Sequence, residues 1–445
     1  MSQKVNNTKK QIPGFELKEY VALTDVGVRR SHNQDAYGML TAGTEDVWQE
    51  RGHVFLVADG MGAHAVGEMA SDLASDLILH TYQKHANLGP AVALRRAFQE
   101  ANTKIHQRGQ QNREFQGMGT TSTAVILRSE GAWIGHVGDS RAYRVRGDQV
   151  EQISFDHSLQ WELARRQQVS PDRIAGVPSN VIVRSLGPEA NVQVDVEGPH
   201  PILAGDIYVL CSDGLSNQLT DQELGAAFTH LPLNEACQFL IDLANLRGGP
   251  DNITVVAVRL VGESPKLGTS GVQKLVRPTK QAINIKKLPW PSIAVGTGIA
   301  LALLALVLVV NEFRWPAILT FCLAAGVLVT GIIGLVGNYR RELNSDGVEE
   351  EGPSPPQVYR QASCAVDSSL LERMMQTEKG LIELARQKNW QLNWDEHNKH
   401  HSAAILAFQK GQLDLAFNEQ SRAMGILLAV LREHRQRDEH FKPNW

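Results

Sequence analysis

Five aspartates in the first 260 residues stand beside turn-forming residues at the ends of apolar runs. They are Asp35, Asp59, Asp139, Asp213 and Asp251. Short apolar runs of this kind predict buried strands, so the pattern places all five carboxylates at the edges of sheets. If the five converge, their mutual repulsion prevents all of them from ionising unless cations lie between them.

The clearest of these positions follows the apolar run 54–58, which ends in Asp59-Gly60. Alone, an Asp-Gly pair after a strand usually marks only a turn. The same order recurs where the apolar run 207–211 leads through a serine into Asp213-Gly214. The recurrence of one strand-to-carboxylate corner favours a functional role over two unrelated turns.

The chemistry of such a cluster follows from its ligand atoms. An all-oxygen site without histidine or cysteine suits the hard octahedral ions Mg²⁺ and Mn²⁺. Two such ions about 4 Å apart can share a bridging water, lower its pKa and direct it in line at a phosphorus atom. Arg30 lies close in sequence to Asp35, and its guanidinium is suited to bind phosphate oxygens. The residues therefore predict a binuclear hydrolase of phosphate esters, with Arg30 and Asp59 as the catalytic candidates.

Eight short motifs follow one another in a characteristic order. They are Arg30-x-x-Asn33-Gln34-Asp35, Ala58-Asp59-Gly60-Met61-Gly62, Met118-Gly119-Thr120-Thr121, Gly138-Asp139-Ser140-Arg141, Asp156-His157-Ser158, Arg184-Ser185-Leu186-Gly187, Ser212-Asp213-Gly214-Leu215 and Asp251-Asn252-Ile253-Thr254. Each motif alone is short, but eight in this order are specific. Together they resemble the metal-dependent type 2C protein phosphatases in their bacterial form, over about residues 17–260.

The resemblance implies an α+β fold of four layers, in which two antiparallel sheets lie between pairs of helices and the metals bind at one end. It implies that Asp59, through its carboxylate, and the Gly60 carbonyl bind a pair of metal ions. Asp35 belongs to the same cluster in the family, often through water. Asp213 and Asp251 are expected to hold the other metal.

The resemblance also assigns roles outside this metal pair. Asp139 matches a ligand of a third, weaker ion found in bacterial members, and Arg30 matches the arginine that binds phosphate. The segment from His157 to about Val183 matches a mobile flap beside the site, where substrates are selected. Its polar composition predicts a loop.

The function implied is a serine/threonine protein phosphatase that uses two Mn²⁺ or Mg²⁺ ions to hydrolyse phosphoserine and phosphothreonine in proteins. A bacterial receptor-like serine/threonine kinase is the expected biological partner. One alternative is a SpoIIE-like regulatory phosphatase acting on anti-sigma-factor antagonists. Another is a pseudophosphatase scaffold, whose mark would be missing metal-binding aspartates, and here none is missing.

The sequence departs from the family pattern at two positions. The family often has glutamate before the first aspartate, and here that residue is Gln34. Animal members carry a histidine after Asp-Gly that is assigned as general acid, and here that residue is Met61. His64 is near in sequence but does not match the motif, so we do not assign it this role.

Composition sets further limits. The chain has 445 residues and a formal net charge of −4, which predicts two or three folded units and gives no electrostatic support for nucleic-acid binding. Its four cysteines show no paired spacing, as expected in a reducing compartment. Residues 1–14 are predicted to be a disordered tail without a signal peptide. Residues 15–262 are the predicted phosphatase domain.

Two uncharged apolar segments lie in the middle of the chain, at residues 291–310 and 317–338. Each is long enough for a transmembrane helix, and only a short polar break separates them. Basic residues flank both outer ends, so the positive-inside rule places those ends in the cytoplasm. The sequence therefore predicts a cell-membrane protein with two spans and with its catalytic and C-terminal parts in the cytoplasm.

The remaining segments are two linkers and a helical region. Residues 263–290 are predicted to be a basic linker and residues 342–362 a second linker with acidic and proline-rich stretches. Residues 363–445 are rich in helix formers and predict an α-helical domain, a candidate for protein binding. Its His397, His400 and His401 lie among charged neighbours, and we expect them to be solvated.

Overall fold

The computed structural model describes residues 16–62, 65–174, 176–178, 181–261 and 352–440, together with scattered positions between 297 and 330. The chain forms two compact units. The first combines Met1–Lys266 with Pro353–Trp445, and the second is Leu267–Gly352. The first unit contains both sheets, whereas the described residues of the second are helical.

Two antiparallel sheets form the centre of the first unit. Their strands are β1 (Glu16–Asp25), β2 (Asp35–Leu40), β3 (His53–Met61), β4 (Gly119–Thr120), β5 (Ser122–Arg128), β6 (Gly131–Val137), β7 (Arg141–Arg146), β8 (Gln149–Gln152), β9 (Asp195–His200), β10 (Ile207–Cys211), β11 (Ile253–Val261) and β12 (Arg360–Ser363). The first sheet has the order β1-β11-β10-β7-β8-β12. The second has the order β2-β3-β5-β6-β9, and β4 pairs with β3.

Helices cover the outer faces of both sheets. The helices of the first unit are α1 (Glu45–Arg51), α2 (Ala65–His85), α3 (Pro90–Gly109), α4 (Leu159–Gln167), α5 (Asp213–Ser216), α6 (Asp221–His230), α7 (Leu233–Leu246), α8 (Ser368–Gln387), α9 (Trp394–Gln409) and α10 (Leu413–His440). Helix α3 begins with a proline. Pro90 occupies its first turn, where a missing N–H costs no hydrogen bond.

Strand β3 explains how the layers form. Its side chains alternate between the two faces of the second sheet. Val54 and Leu56 join a core with helices α2 and α3, while Phe55 and Val57 join a core between the two sheets. Because both faces are buried, the strand is continuously apolar rather than alternating. The predicted α+β fold with two antiparallel sheets between layers of helices is confirmed.

The C-terminal helices pack against α6 and α7, outside the first sheet. Leu370, Leu371 and Leu381 of α8 share one apolar core with Phe228 of α6 and Leu240 of α7. Helix α9 ends before Gly411, whose positive φ of 71° suits a chain reversal, and α10 returns alongside α9. The apolar residues of α8, which form one stripe along the helix, therefore face this core.

The chain reaches these helices along one open side of the sandwich. Ser354 exchanges backbone hydrogen bonds with β9, at the edge of the second sheet. Residues 360–363 then pair with β8 and extend the first sheet. Between them, Tyr359 donates a hydrogen bond from its hydroxyl to Glu197 on β9. We call residues 353–363 the edge strap. It lies largely in the segment predicted to be a linker.

The predicted localisation as a membrane protein with two spans is wrong. Among the described residues, no helix has the length and apolar character needed to cross a bilayer. Most residues of the predicted spans 291–310 and 317–338 lie outside the described residues.

The expectation that the histidines of α9 are solvated is wrong for His397, whereas His400 and His401 are partly exposed. His397 is buried and its Nε2 lies 2.9 Å from a carboxylate oxygen of the buried Glu378 on α8. His401 Nδ1 lies 2.9 Å from the other oxygen of Glu378. His400 pairs with Glu419 of α10 at 2.6 Å. The sequence could not reveal these partners because they come from other helices.

Candidate metal and phosphate site

Asp35 and Asp59 are brought together by strand pairing. They stand directly opposite each other in the ladder between β2 and β3. The hydroxyl of Thr121 accepts the backbone N–H of Asp59 at 3.0 Å, and the backbone N–H of Thr121 donates to the Asp59 carbonyl at 2.8 Å. The backbone of Asp59 is therefore fixed on both sides.

Asp213 reaches the same place from the other sheet. It begins helix α5 one residue after β10, and it lies close enough to Asp59 for its charge to raise the pKa of that carboxyl. The preceding residue, Ser212, donates its hydroxyl to Asp35 at 2.7 Å and accepts the backbone N–H of Thr254 at 2.9 Å. Ser212 thus joins the carboxylates of the two sheets.

Asp251 and Arg30 lie on two loops that contact each other. Arg30 Nη2 is 2.8 Å from Asp251 Oδ2, and the Arg30 side chain is 47% exposed. Asn252 holds the two loops together. Its side-chain amide donates to the carbonyls of Val26 and His32, and its side-chain oxygen accepts the backbone N–H of Gln34.

Asp139 is the most buried of the five carboxylates, with 5% of its surface exposed. It follows Gly138, where a side chain would meet Thr121 at 2.4 Å, so the loop approaches closely only because that residue is glycine. The next motif supports this loop. The backbone N–H of Gly138 donates to His157 Nδ1, and Arg141 pairs with Asp156 at 2.8 Å.

Gly60 lies in the same corner. Its backbone N–H donates to the Gln34 carbonyl at 2.9 Å, and a Cβ built there would lie 2.1 Å from the carbonyl oxygen of Gly67. No side chain therefore fits at position 60. Gln34, which replaces the family's acidic residue, has its amide nitrogen 3.4 Å from the Gly62 carbonyl. His64 lies outside the described residues.

Asp35, Asp59 and Asp213 are buried close together, and this raises their pKa values. Burial, with the charges of Asp213 and Asp251, raises the pKa of Asp35 to about 7. Burial also raises the pKa of Asp213 to about 6 and that of Asp59 well above its ordinary value. The neighbouring Asp35 and Asp213 add to the shift at Asp59. Positive charge placed among these groups would reverse the shifts.

Three carboxylate oxygens test whether this site fits metal ions. Asp35 Oδ1, Asp139 Oδ1 and Asp213 Oδ1 are buried without any hydrogen-bond partner. Buried carboxylate oxygens without donors are suited to hard cations. In the described part of the chain, however, no group of three or more Asp, Glu, His or Cys side chains already has the spacing of a coordination sphere. The residues fit the ions in chemistry, and ion binding would have to complete the geometry.

The structure brings the predicted residues Asp35, Asp59 and Asp213 together and adds Asp139 and the Arg30–Asp251 pair beside them. The supporting roles of Thr121, Ser212 and Asn252 were not predicted. All three belong to the sequence motifs, and their signal was a polar residue bordering an otherwise apolar strand.

The segment matched to a flap differs from the predicted loop. It begins with helix α4, which Ser158 caps at its N-terminus and which buries Trp161. The ring of Trp161 packs edge-on against Phe155, with ring centroids 5.3 Å apart. Arg165 lies over the same Phe155 ring, at 5.5 Å. These contacts stabilise α4 as a helix although most of its residues are polar.

An α+β sandwich with aspartates from both sheets and a neighbouring arginine defines a candidate metal-dependent hydrolase of phosphate esters. Residues 28–240 match the profile of the family described as "Protein phosphatase 2C". The serine/threonine phosphatase stp of Listeria innocua is 34% identical over 241 residues, which are 53% of this chain and 93% of that protein. The chain belongs to the protein phosphatase 2C family, and the prediction that it is a protein-serine/threonine phosphatase is confirmed.

Two further relatives have similar coverage. Protein phosphatase PhpP of Streptococcus pneumoniae is 34% identical over 247 residues, 54% of this chain and 97% of that protein. A solved structure of the catalytic domain of the phosphatase PstP, in complex with two manganese ions, is 30% identical. That match covers 55% of this chain and 98% of the solved one, with a TM-score of 0.47. The family profile ends at residue 240, so the C-terminal helices lie outside it.

Proposed function

We propose that this protein hydrolyses phosphoserine and phosphothreonine in proteins with two divalent cations held by Asp35, Asp59, the Gly60 carbonyl, Asp213 and Asp251. The observation that carries the proposal is the meeting of Asp59 and Asp213, from different sheets, beside Asp35. When bound, two Mn²⁺ or Mg²⁺ ions would supply a water of lowered pKa and positive charge for the phosphoryl oxygens.

In this proposal Arg30 binds the phosphate. Its guanidinium is nearly half exposed and already pairs with one carboxylate oxygen of Asp251. A phosphate offers the same kind of oxygen pair, so the guanidinium can bind it while remaining beside Asp251. Exposure of Arg30 also places the substrate at the surface, as a phosphorylated side chain of a protein requires.

Asp139 is proposed to bind a third, weaker ion. Burial raises the pKa of Asp139, and the charge of nearby Asp213 raises it further. Asp139 Oδ1 has no hydrogen-bond partner. The phosphoproteins of a receptor-like serine/threonine kinase are the proposed substrates, on the grounds of the resemblance alone.

The test is hydrolysis of a phosphothreonine peptide in the presence of Mn²⁺. We expect Asp213→Asn to lower kcat/KM by at least roughly a hundredfold, because one ligand charge of the cluster is lost. Asp76→Asn, on the exposed face of α2, is the matched control and should leave the rate unchanged. Activity of Asp213→Asn equal to that of the parent would contradict the proposal. Calorimetry showing no Mn²⁺ binding would favour a pseudophosphatase instead.

A further inference from the structure

An arginine of the last helix contacts the catalytic part of the chain close to the phosphate-binding loop. Arg435 Nη2 on α10 donates to both carboxylate oxygens of Asp25, at 2.9 and 2.7 Å. The side chains of Arg435 and Asp25 are only 17% and 15% exposed. A charge pair with so little solvent is held more firmly than a surface pair, and loss of one partner leaves the other poorly solvated.

Asp25 is the last residue of β1, directly before the loop 26–34 that carries Arg30. Its Oδ1 also accepts the backbone N–H of Gly27 at 2.9 Å and the side-chain amide of Asn245 at 3.1 Å. Asp25 therefore fixes the first turn of the loop to helix α7 and, through Arg435, to helix α10.

The turn fixed by Asp25 lies against the backbone of the metal-site loop. Gly27 has a φ of 80°, and a Cβ there would lie 2.1 Å from the Asp251 carbonyl oxygen. The backbone N–H groups of Val28 and Arg29 both donate to the Gly249 carbonyl, at 2.8 and 3.2 Å. A shift of Asp25 would consequently move the segment that places Arg30 beside Asp251.

A cavity of about 780 Å³ lies beside this ion pair, lined by Val28 and Leu246 on one side and by Trp390, Leu428 and Arg435 on the other. Arg432 bridges it on one side through a pair with Asp242 at 2.6 Å. The ion pair of Arg435 joins α10 directly to the β1 end of the loop.

We propose that Arg435 is a positioning residue for phosphate binding. Through this residue the C-terminal helices contribute to the activity of the catalytic domain. The proposal deepens the proposed function, since it rests on Arg30 as the phosphate ligand. It assigns a role to a segment outside the matched family profile.

The experiment uses the full-length protein and compares kcat and KM for a phosphothreonine peptide at saturating Mn²⁺. Arg435→Gln should raise KM roughly tenfold with a smaller effect on kcat, because the loop carrying Arg30 loses its outer anchor. Arg435→Lys, which retains one charged donor, should recover most of the loss. The control is Arg422→Ala on the same helix, whose guanidinium is 43% exposed and faces Glu419 and Glu235.

Two further measurements separate positioning from simple loss of structure. In a double-mutant cycle, Asp25→Asn together with Arg435→Gln should be no worse than the more damaging single change. Amide hydrogen exchange in residues 26–34 should quicken in Arg435→Gln and not in Arg422→Ala. Should Arg435→Gln fail to fold, the milder Arg435→Lys provides the kinetic and exchange comparison, because Asp25 itself has partners other than Arg435.

The outcomes are distinct. Unchanged KM and unchanged exchange in folded Arg435→Gln, or equal losses in Arg422→Ala, would overturn the proposal. A parent protein that hydrolyses no phosphopeptide would instead overturn the proposed function. Faster exchange of the loop in Arg435→Gln would then still support the structural link.

Discussion

Ser212 joins the two sheets at the site through a single hydroxyl. It is fully buried, and its hydroxyl serves one carboxylate and one backbone N–H that belong to different strands. A hydroxyl can donate once and accept at the same time, which neither alanine nor cysteine does as well. One atom therefore connects Asp35 of the second sheet with β11 of the first.

Ser212→Ala should lower the free energy of unfolding by about 1–3 kcal/mol, because the Thr254 N–H and the Asp35 carboxylate both lose a partner in a buried place. Urea unfolding of the metal-free protein measures this. Ser122→Ala is the matched control, since Ser122 is equally buried but its hydroxyl has no hydrogen-bond partner. Equal stability of the two variants would contradict the role given to Ser212.

At this scale the sequence revealed the ligands better than their supports. Asp59 and Asp213 were predictable because continuous apolar runs end at them, and that signal is local. Ser212, by contrast, stands where serine ordinarily means a turn. Its function depends on Asp35, which is 177 residues away in the chain, so a local pattern marks the position without identifying the partner.

Among the elements, strand β9 carries a carboxyl, Glu197, that contacts the edge strap and whose charge depends on pH. Burial raises the pKa of Glu197 from 4.5 to about 7, against the hydrogen bond from Tyr359, which lowers it, and nearby Asp195 raises it further. A carboxyl whose pKa is higher in the folded state stabilises folding when protonated. Its contribution is therefore full below pH 4.5 and is lost as the pH rises through about 7.

The parent protein should lose more stability between pH 4.5 and pH 7 than Glu197→Gln does, by on the order of 1–3 kcal/mol. Glutamine keeps an oxygen that accepts from Tyr359 but cannot ionise. Thermal unfolding of both proteins across this range measures the difference. Parallel curves would show that Glu197 does not titrate in this window.

Elements differed in how far the sequence predicted them. Helix α3 has a local signal in the sequence, since a proline begins it and its apolar spacing is regular. Strand β12 has no such signal, because the residues Arg360–Ser363 show no apolar alternation. That segment is a strand only because β8 offers free backbone groups at its edge.

For the whole molecule, the main finding is that residues 353–440 belong to the same compact unit as the phosphatase sheets. Helix α8 completes the apolar core outside the first sheet, and Arg432 and Arg435 neutralise Asp242 and Asp25. Without these helices, apolar side chains of α6 and α7 would face water and two carboxylates would lose their partners.

Removal of residues 353–445 should therefore lower Tm by about 5–10 °C and increase binding of a hydrophobic dye. The comparison is a protein lacking only residues 441–445, which lie beyond the described helix. Calorimetry and dye fluorescence provide the two readings. A truncated protein as stable as this control would mean that the catalytic part does not depend on the C-terminal helices.

The extent of this unit could not be derived from the sequence, since linkers and domains were separated by composition alone. The acidic stretch before residue 353 and the prolines at 353, 355 and 356 suggested a linker there. The apolar stripe of α8 did not reveal which surface it covers. The predicted membrane localisation had the same origin in composition, and the described helices contradict it.

The edge strap has a consequence for synthesis of the protein. Strand β8 acquires its last neighbour only when residues 360–363 have left the ribosome, about a hundred residues after β11. At roughly 5–20 residues per second this interval lasts about 5–20 s. During it, β8 presents an open row of backbone groups on which another nascent chain could pair. The strap therefore ends a period in which the emerging polypeptide is exposed to aggregation.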